Sequence, residues 1–282
     1  MSLDTQSLIK GNAWLVDVAG LVIAAVLVHL VYVLFIDPAA LELVTSAEAE
    51  GTVPERMLVI IFKDLEQEIC LILTIWCCWL WFFRYRIFQN EERFLDADFL
   101  GISDIVTLDD ATIDSLKKRL DEASRQLSSP QLLYCVELAL DRLRMNKDLE
   151  DAANAALDAC SLHLEMLNSK LSFNRYIIYA IPSIGFIGTV RGIGEALGKA
   201  VEAMEGDITG VAMSLGLAFN STFVALLLSL GLMLLSSWLQ GREERLVARY
   251  KHYVTSSLIP RLNVAASADG SNKVVEPHEP AT

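Results

Sequence analysis

Apolar residues are concentrated in four blocks along the chain, each about as long as a helix must be to cross a lipid bilayer. The blocks cover residues 13–36, 68–84, 175–200 and 208–239. The first block is interrupted only by Asp17 and His29, and it is too long for the apolar core of a signal peptide. We therefore predict an all-α, polytopic membrane protein with four transmembrane helices.

Residues 85–174 form a polar segment between the second and third blocks. Apolar residues recur in it at spacings of three and four over residues 112–120 and 132–140, which predicts amphipathic helices. Ser128-Ser129-Pro130 is typical of a helix start, with proline in the first turn. We predict a cytoplasmic helical domain here, continuous with the membrane helices.

Lys and Arg residues indicate the orientation, because they are enriched at the cytoplasmic ends of membrane helices. They follow the second and fourth blocks and precede the third, at Arg84, Arg86, Lys170, Arg175, Arg242, Arg245, Arg249 and Lys251. The connections 37–67 and 201–207 are mostly acidic, so we expect them on the periplasmic side. Both termini are then cytoplasmic, with an amino-terminal segment 1–12, a helix 240–260 and a disordered tail 261–282.

The overall composition narrows the class of protein. The chain has 282 residues, of which 53% are hydrophobic, and a formal net charge of -13. This charge argues against a nucleic-acid binder, which needs a basic surface to displace counterions from phosphates. The five cysteines lack metal-ligand spacing, and three lie in one apolar run, so we expect buried or lipid-facing thiols. No loop contains a nucleophile, a base or a metal cluster, and we expect neither an enzyme nor a cofactor.

The third and fourth blocks are joined by a short loop and form a predicted antiparallel hairpin. Small residues recur on one face of each helix, at three- and four-residue steps. The two stripes are Pro182, Gly185, Thr189, Gly192 and Ala196, and Ser214, Ala218, Thr222, Ala225 and Ser229. Thr189 and Thr222 would lie about 20 Å and about 25 Å from the cytoplasmic ends, hence at similar depth. Spacing alone favours structural packing, through small pairs such as Gly188–Gly192 and Gly194–Gly198.

Two segments of the hairpin carry a recognisable pattern. Pro182 followed by Gly185-Phe-Ile-Gly-Thr-Val-Arg-Gly-Ile, and later Ala218-Phe-Asn-Ser-Thr-Phe-Val-Ala-Leu, resemble the paired signatures of the MotA/TolQ/ExbB proton-channel family. The resemblance covers mainly residues 181–237. It implies that Thr189 and Thr222 line an ion path, with Asn220 and Ser221 nearby. The residues at hinge or packing positions would be Pro182, Gly185, Gly188, Gly192, Ala218 and Ala225.

Ion transfer through a bilayer needs an ionisable carrier at depth, because hydroxyls do not titrate in the relevant pH range. Neither hairpin helix has such a group beside Thr189 or Thr222. The resemblance implies that a partner supplies it, as an aspartate on the single transmembrane helix of a MotB/ExbD/TolR-like subunit. Two copies of that subunit would lie inside a homopentamer of this chain. Ion flow would turn this ring of five subunits around the partner. The transported ion would be H⁺, with Na⁺ as the alternative.

The resemblance also implies a location in the bacterial inner membrane. Four spans with a cytoplasmic amino terminus are more similar to the flagellar-stator branch of the family than to the three-span ExbB branch. Motility, outer-membrane energisation, surface transport and phage defence all use this architecture within the family. The alternative from a different class is a non-conducting membrane scaffold, whose acidic cytoplasmic helices recruit proteins.

Ionisable residues inside the hydrophobic blocks include Asp17, His29, Arg191 and Glu195. Arg191 and Glu195 are four residues apart on the outer part of the third helix, which favours an intrahelical ion pair over a site where ions enter. For Asp17 we expect a snorkelling or capping role. His29 has a pKa suited to a switch, but we expect it to be only hydrogen-bonded.

Overall fold

The computed structural model of this chain describes residues 13–49, 52, 58–95, 110–124, 131–204, 206 and 208–262. Nearly all of these residues are helical and none is in a strand, which confirms the all-α prediction for this part of the chain. The chain divides into two compact units. The first comprises Met1–Phe83 and Leu171–Trp238, and the second comprises Arg84–Lys170 and Leu239–Thr282.

The helices are numbered here in chain order, and two of them continue into π-helical segments. They are α1 (Ala13–Val31) with the π-helical segment Tyr32–Ile36, α2 (Asp37–Ala49), α3 (Leu58–Ile61), α4 (Leu65–Leu95), α5 (Asp110–Ser124), α6 (Gln131–Asn146), α7 (Leu149–Gly198), α8 (Ala200–Met204) and α9 (Thr209–Tyr253) with the π-helical segment Val254–Leu258.

Within the described part of the chain, four helical stretches are long and apolar enough to cross a membrane, as predicted. They are Trp14–Ala47, Leu65–Arg86, Leu149–Gly198 and Thr209–Leu262. Many of their large apolar side chains are exposed in the single chain, among them Val26, Phe186, Phe223 and Leu234. Water-soluble monomers rarely expose apolar patches of this extent, whereas lipid or a neighbouring subunit would cover them.

We predicted that the first membrane helix ends at residue 36. In the structure it continues through Pro38 to Ala49. The widened turn Tyr32–Ile36, in which the Asp37 N–H donates to the Tyr32 carbonyl, explains this difference. Proline has no N–H to donate, and in a regular α-helix its ring clashes with the carbonyl four residues back. A local π-helical turn relieves that clash, and membrane helices accommodate proline in this way. Part of the predicted connection 37–67 is therefore helical.

The other membrane helices also extend beyond their predicted ends. α4 covers Leu65–Leu95 rather than 68–84, and α7 runs without a break through the predicted boundary at residue 175. α9 likewise continues past residue 239. The predicted continuity of polar and membrane helices is thus confirmed, because a change from apolar to charged side chains does not by itself interrupt the backbone hydrogen bonds of a helix.

The short connection 201–207 is partly helical. α8 ends at Met204, and Gly206 has a φ of 106°, a conformation that favours glycine. The predicted segment 1–12, the helix start at Ser128–Pro130 and the tail beyond Leu262 lie outside the described residues. Arg261 and Leu262, the first two residues of the predicted tail, are helical.

In the first unit, the membrane helices pack against one another in antiparallel pairs. α1 contacts α4 where the Trp76 indole N–H donates to the Asp17 carbonyl oxygen at 2.8 Å. α4 contacts α7 through the Cys70 thiol, 3.6 Å from the Ile181 carbonyl oxygen. The hairpin of α7 and α9 therefore has α4 beside it, an arrangement that brings polar residues at the start of α4 to the hairpin.

The second unit has its own hydrophobic core, formed by residues of α5, α6, the first part of α7 and the end of α9. The two predicted amphipathic helices bury the residues at the expected spacings, namely Ile113, Leu116 and Leu120, and Leu132, Leu133, Val136, Ala139 and Leu140. Tyr250 is buried beside them, and its hydroxyl donates to the Glu91 carboxylate at 2.6 Å. This part of the chain thus folds around apolar side chains as soluble domains do.

Gly192→Ala tests the contact between α7 and α9. The added methyl group would lie 2.7 Å from Ala218 Cβ and 2.9 Å from the Ser214 carbonyl oxygen, so the helices must separate. We expect a lower midpoint of thermal unfolding in detergent, measured by circular dichroism. The matched control is Gly194→Ala, where the methyl group meets no atom within 4 Å in this chain.

Alanine is more favourable than glycine inside a helix by roughly 0.5–1 kcal/mol, so the Gly194→Ala variant should keep or raise the midpoint. An equal loss of stability in both variants would contradict the role of Gly192 in helix contact.

Candidate ion-path site

Three glycines of α7 lie directly against α9 and let the two backbones come close. A Cβ added at Gly185 would collide with the Ala225 side chain, and one added at Gly188 would lie 2.6 Å from Ser221 Oγ. Gly192 continues the contact one turn further along. Small residues at a helix interface permit this approach in membranes, where lipid is as apolar as leucine.

The two predicted packing pairs differ in the single chain. Gly194 and Gly198, the second pair, have no atom within 4 Å of an added Cβ. The contact between the hairpin helices nevertheless continues past Gly192, because Ala196 of the stripe is buried and Lys199, the residue after α7, donates to Ser214 Oγ at 3.3 Å. The Gly188–Gly192 pair packs as predicted.

The close approach brings the hydroxyls of Thr189 and Thr222 into direct contact. Both side chains are half-buried in the single chain, and their Cα atoms belong to facing helices. The prediction that the two hydroxyls meet at similar depth is confirmed. The contact exists because Gly185 and Ala218, the neighbours of this pair across the interface, are small.

Each threonine hydroxyl has one proton to donate, and two backbone carbonyls are available as acceptors. The Gly185 oxygen lies 3.3 Å from Thr189 Oγ1 and 3.1 Å from Thr222 Oγ1, and the Ala218 oxygen lies 3.2 Å from Thr189 Oγ1. In one arrangement Thr222 donates to Thr189, which donates to Ala218. In the other Thr189 donates to Thr222, which donates to Gly185.

The hydroxyl pair therefore has two arrangements of opposite direction, and each satisfies both protons. Reversal requires only rotation of the two hydroxyl groups, with no change in helix packing. The bond from Thr189 to Gly185 is also the intrahelical bond, four residues back, that the packing interpretation predicts. The geometry thus stabilises the contact between α7 and α9. It also places a pair of hydrogen-bonding hydroxyl groups inside the first unit.

The other predicted site residues surround this pair. Asn220 and Ser221 are buried, and Ser221 Oγ accepts a hydrogen bond from Gln67 Nε2 at 3.3 Å. Pro182 lies inside α7, about one turn before Gly185. The hinge role of Pro182 remains a prediction. The contact between Ser221 and Gln67 of α4 was not predicted from the sequence.

Arg191 has a stronger partner than the predicted one. Its guanidinium binds Glu66 of α4 in a bidentate pair, with Nε–Oε1 and Nη2–Oε2 distances of 2.9 Å each. The predicted intrahelical pair with Glu195 is also present, at 3.4 Å. Asp64 is the third acid around this arginine, 3.5 Å from Nη2. Arg191 therefore joins the hairpin to the start of α4.

The signal for the Glu66 contact was present in the sequence. An arginine within an apolar helix needs a counter-charge, and acids occur at or just before the start of the second block, at Asp64, Glu66 and Glu68. Several acids qualified as partners, and only the packing of α4 beside α7 selects among them. Glu66 and Asp64 have side chains only 10% exposed, whereas Glu195 is 43% exposed.

Burial changes the titration of Asp64, which precedes the membrane-spanning part of α4. Removal from water raises the pKa of Asp64 above its ordinary value of 3.8, and the negative charge of Glu66 acts in the same direction. The positive charges of Lys63 and Arg191 oppose this shift but do not cancel it. Asp64 therefore holds a proton more readily than an exposed aspartate does.

His29 lies at the same end of the first unit. Its Nδ1 is 2.8 Å from Glu68 Oε1, so the expectation that His29 is hydrogen-bonded is confirmed. Asp17, at the other end of α1, accepts the Trp76 indole N–H through its backbone carbonyl. His29 and Glu68 thus lie at the end of the hairpin that carries Arg191, whereas Asp17 and Trp76 do not.

Together these features define a polytopic helical membrane protein with a hydroxyl-lined helix hairpin. The model of the MotA/TolQ/ExbB proton channel family matches residues 114–252. No curated protein and no solved structure matches the chain. Residues 114–252 are a domain of the MotA/TolQ/ExbB proton channel family, which confirms the resemblance. Thr189, Thr222 and Arg191 lie within the matched range, whereas Asp64 and Glu66 lie outside it.

Asp64→Asn tests the burial of this carboxyl group. A raised pKa in the folded state means that folding favours the protonated form, so stability falls as pH rises from 3.8 through the raised pKa. The Asp64→Asn variant has no carboxyl group to ionise at this position, so it lacks this loss of stability. We expect its midpoint of thermal unfolding to exceed that of the unmodified protein at neutral pH, by a margin that shrinks as the pH falls.

Asp121→Asn, at an exposed position of α5, controls for the loss of one negative charge. If the two variants show the same pH dependence, the Asp64 carboxyl is not specifically destabilised by burial.

Proposed function

We propose that this chain is the proton-channel subunit of a rotary motor in the bacterial inner membrane. Five copies surround two copies of a MotB/ExbD/TolR-like partner, and ion flow along the interface drives rotation and mechanical work. The observation that carries the proposal is the contact of the Thr189 and Thr222 hydroxyls within the family domain. The transported ion is H⁺.

The chemistry of the hairpin supports the need for a partner. Hydroxyl groups can pass a proton along a hydrogen-bonded path, but they cannot store one at physiological pH. Within residues 208–239 the chain has no acidic residue, and α7 beyond residue 175 has only Glu195. The two hairpin helices therefore supply no carboxyl group beside the threonines, and we assign that group to another polypeptide. The aspartate of a single-span partner helix supplies it.

The charge pattern supports the proposed orientation. Basic residues flank the ends of the membrane helices at Arg84, Arg86, Arg175 and Arg242, which we assign to the cytoplasmic side together with both termini. The Arg191 end of the hairpin then faces the periplasm. Protons would reach the threonine pair from that side, past Arg191 and its acidic partners.

We expect the purified protein to form a ring of five. The exposed apolar faces of α7 and α9, with residues such as Phe186, Val190, Phe219 and Phe223, need a neighbouring subunit or lipid to cover them. A repeated heterologous interface yields a closed ring when its rotation closes. Native mass spectrometry of the detergent-solubilised protein should show five copies, and a stable monomer or dimer would contradict the proposal.

The competing function is a non-conducting scaffold, and transport by the threonine variants decides between the two. Thr→Val at position 189 or 222 removes a hydroxyl while nearly keeping the shape of the side chain. A side-chain hydrogen bond in a membrane contributes about 0.6 kcal/mol, so ring assembly should survive. Proton uptake, which needs a continuous polar path, should be lost. We would measure uptake in vesicles containing this chain and a single-span partner whose transmembrane helix bears an aspartate.

Two controls sharpen this measurement. Thr74→Val removes a membrane hydroxyl that donates within its own helix, to the Cys70 carbonyl at 2.7 Å, and should leave proton uptake unchanged. Thr189→Ser keeps the hydroxyl and should retain uptake. Normal uptake by an intact ring that carries valine at both positions would end the claim that these threonines form the path.

A further inference from the structure

The end of the hairpin at Arg191 holds more buried negative than positive charge. Asp64 and Glu66, each with a side chain 10% exposed, share the single guanidinium of Arg191. Glu66 takes both strong hydrogen bonds, and Asp64 contacts the same guanidinium only at 3.5 Å. One of the two buried negative charges is therefore poorly compensated, and uptake of one proton would neutralise the group.

Several polar atoms here also lack partners among the described residues. They are Asp64 Oδ2, Gln67 Oε1 and the Tyr32 hydroxyl. Gln67 is fully buried and Tyr32 is 2% exposed, and the carboxylates of Asp64 and Glu68 lie within electrostatic range of Tyr32. Buried polar atoms in native proteins nearly always have a hydrogen-bond partner, and a proton on Asp64 Oδ2 would turn that oxygen into a hydrogen-bond donor.

This group contacts the residues that directly precede the threonine pair in sequence. Glu66 Cγ and Ser221 Oγ both lie against Gly188, at 3.2 Å and 2.6 Å from the position of an added Cβ. Gln67, three residues after Asp64 in the chain, donates to Ser221. Thr189 and Thr222 directly follow Gly188 and Ser221 in sequence. Gln67 and Ser221 therefore form a polar contact between the segment that carries Asp64 and the part of α9 that carries Thr222.

We propose that Asp64 is a proton-carrying residue supplied by this chain itself, upstream of the carboxyl group of the partner. A proton from the periplasmic side adds to Asp64 Oδ2, forming an O–H bond that breaks when the proton moves on toward the threonines. Arg191 stays protonated and stays on Glu66. The inference rests on the proposed function and adds a loading step to it.

The neighbours of Asp64 set the pH at which it loads. Lys63 and Arg191 favour the ionised form, whereas Glu66 and burial favour the protonated form. Glu66→Gln removes a negative charge and frees Arg191 to pair with Asp64. Both changes favour ionised Asp64, so this variant should load only at lower pH.

Infrared spectroscopy of the intact complex tests protonation without transport. The unmodified protein should gain a carbonyl band of a protonated carboxylic acid as the pH falls, with a midpoint above the ordinary aspartate range. Asp64→Asn should remove this band, and Glu66→Gln should shift its midpoint to lower pH. The matched control is Glu195→Gln, which removes the more exposed partner of the same arginine and should shift the midpoint less.

Proton uptake in vesicles tests whether loading at Asp64 is used. Asp64→Asn should reduce uptake to the level of protein-free vesicles while leaving the ring intact, and Asp64→Glu should restore uptake with an altered pH profile. Asp121→Asn should match the unmodified protein. Unchanged uptake by Asp64→Asn, or an infrared band that survives this substitution, would overturn the inference.

The two proposals fail separately in these experiments. If the unmodified complex takes up no protons, the proposed function fails, whatever Asp64 does in the infrared measurement. If the threonine variants lose uptake but Asp64→Asn retains it, the proposed function stands and only the loading step is wrong.

Discussion

The close approach of α7 and α9 is the constraint on which the rest of the first unit depends. It exists because Gly185, Gly188 and Gly192 have no side chain where α9 passes. A methyl group at any of them would force the helices apart, and the hydroxyls of Thr189 and Thr222 would lose their contact. Separated hydroxyls would still need hydrogen-bond partners, because an unsatisfied polar group in an apolar environment costs free energy. The packing of α7 against α9 and the contact between the two hydroxyls therefore both depend on these glycines having no side chain.

Charge burial imposes the second constraint. Arg191 lies in a helix that is otherwise apolar around it, and it is compensated by an acid from another helix rather than by Glu195 alone. The bidentate geometry with Glu66 is directional, so it fixes α4 against the hairpin as well as balancing charge. Because Asp64 shares the same guanidinium, the position of Arg191 also sets how strongly that second acid holds a proton. The ion pair of Arg191 with Glu66 thus links the position of α4 to the protonation of Asp64.

The two units bury different parts of the same helices. In the second unit α7 contributes Ala152, Ala156 and Cys160 to an apolar core, as a soluble helical domain requires. In the first unit α7 turns glycines and a threonine toward α9 and leaves Phe186 and Val190 exposed. Water drives apolar residues inward, whereas lipid does not, so small residues rather than large ones mark the helix contacts in the membrane.

The amino-acid sequence by itself determined the helical class, the four spans and the small-residue stripes, because these depend on local composition and on the period of the helix. It also predicted that Thr189 and Thr222 would meet, since two antiparallel helices joined by a short loop have little freedom in register. It failed at the ends of helices, where Pro38 is accommodated by a widened turn. It also did not distinguish Gly188 and Gly192, which contact α9, from Gly194 and Gly198, which have no neighbouring atom in the single chain.

Only the tertiary structure decided which acid pairs with Arg191. Glu195 was the local candidate at four residues, but Glu66 lies 125 residues away in the chain and reaches the arginine because α4 packs beside α7. The same packing buries Asp64 and brings Gln67 to Ser221. Such contacts follow from helix arrangement, which the pattern of a single helix does not encode.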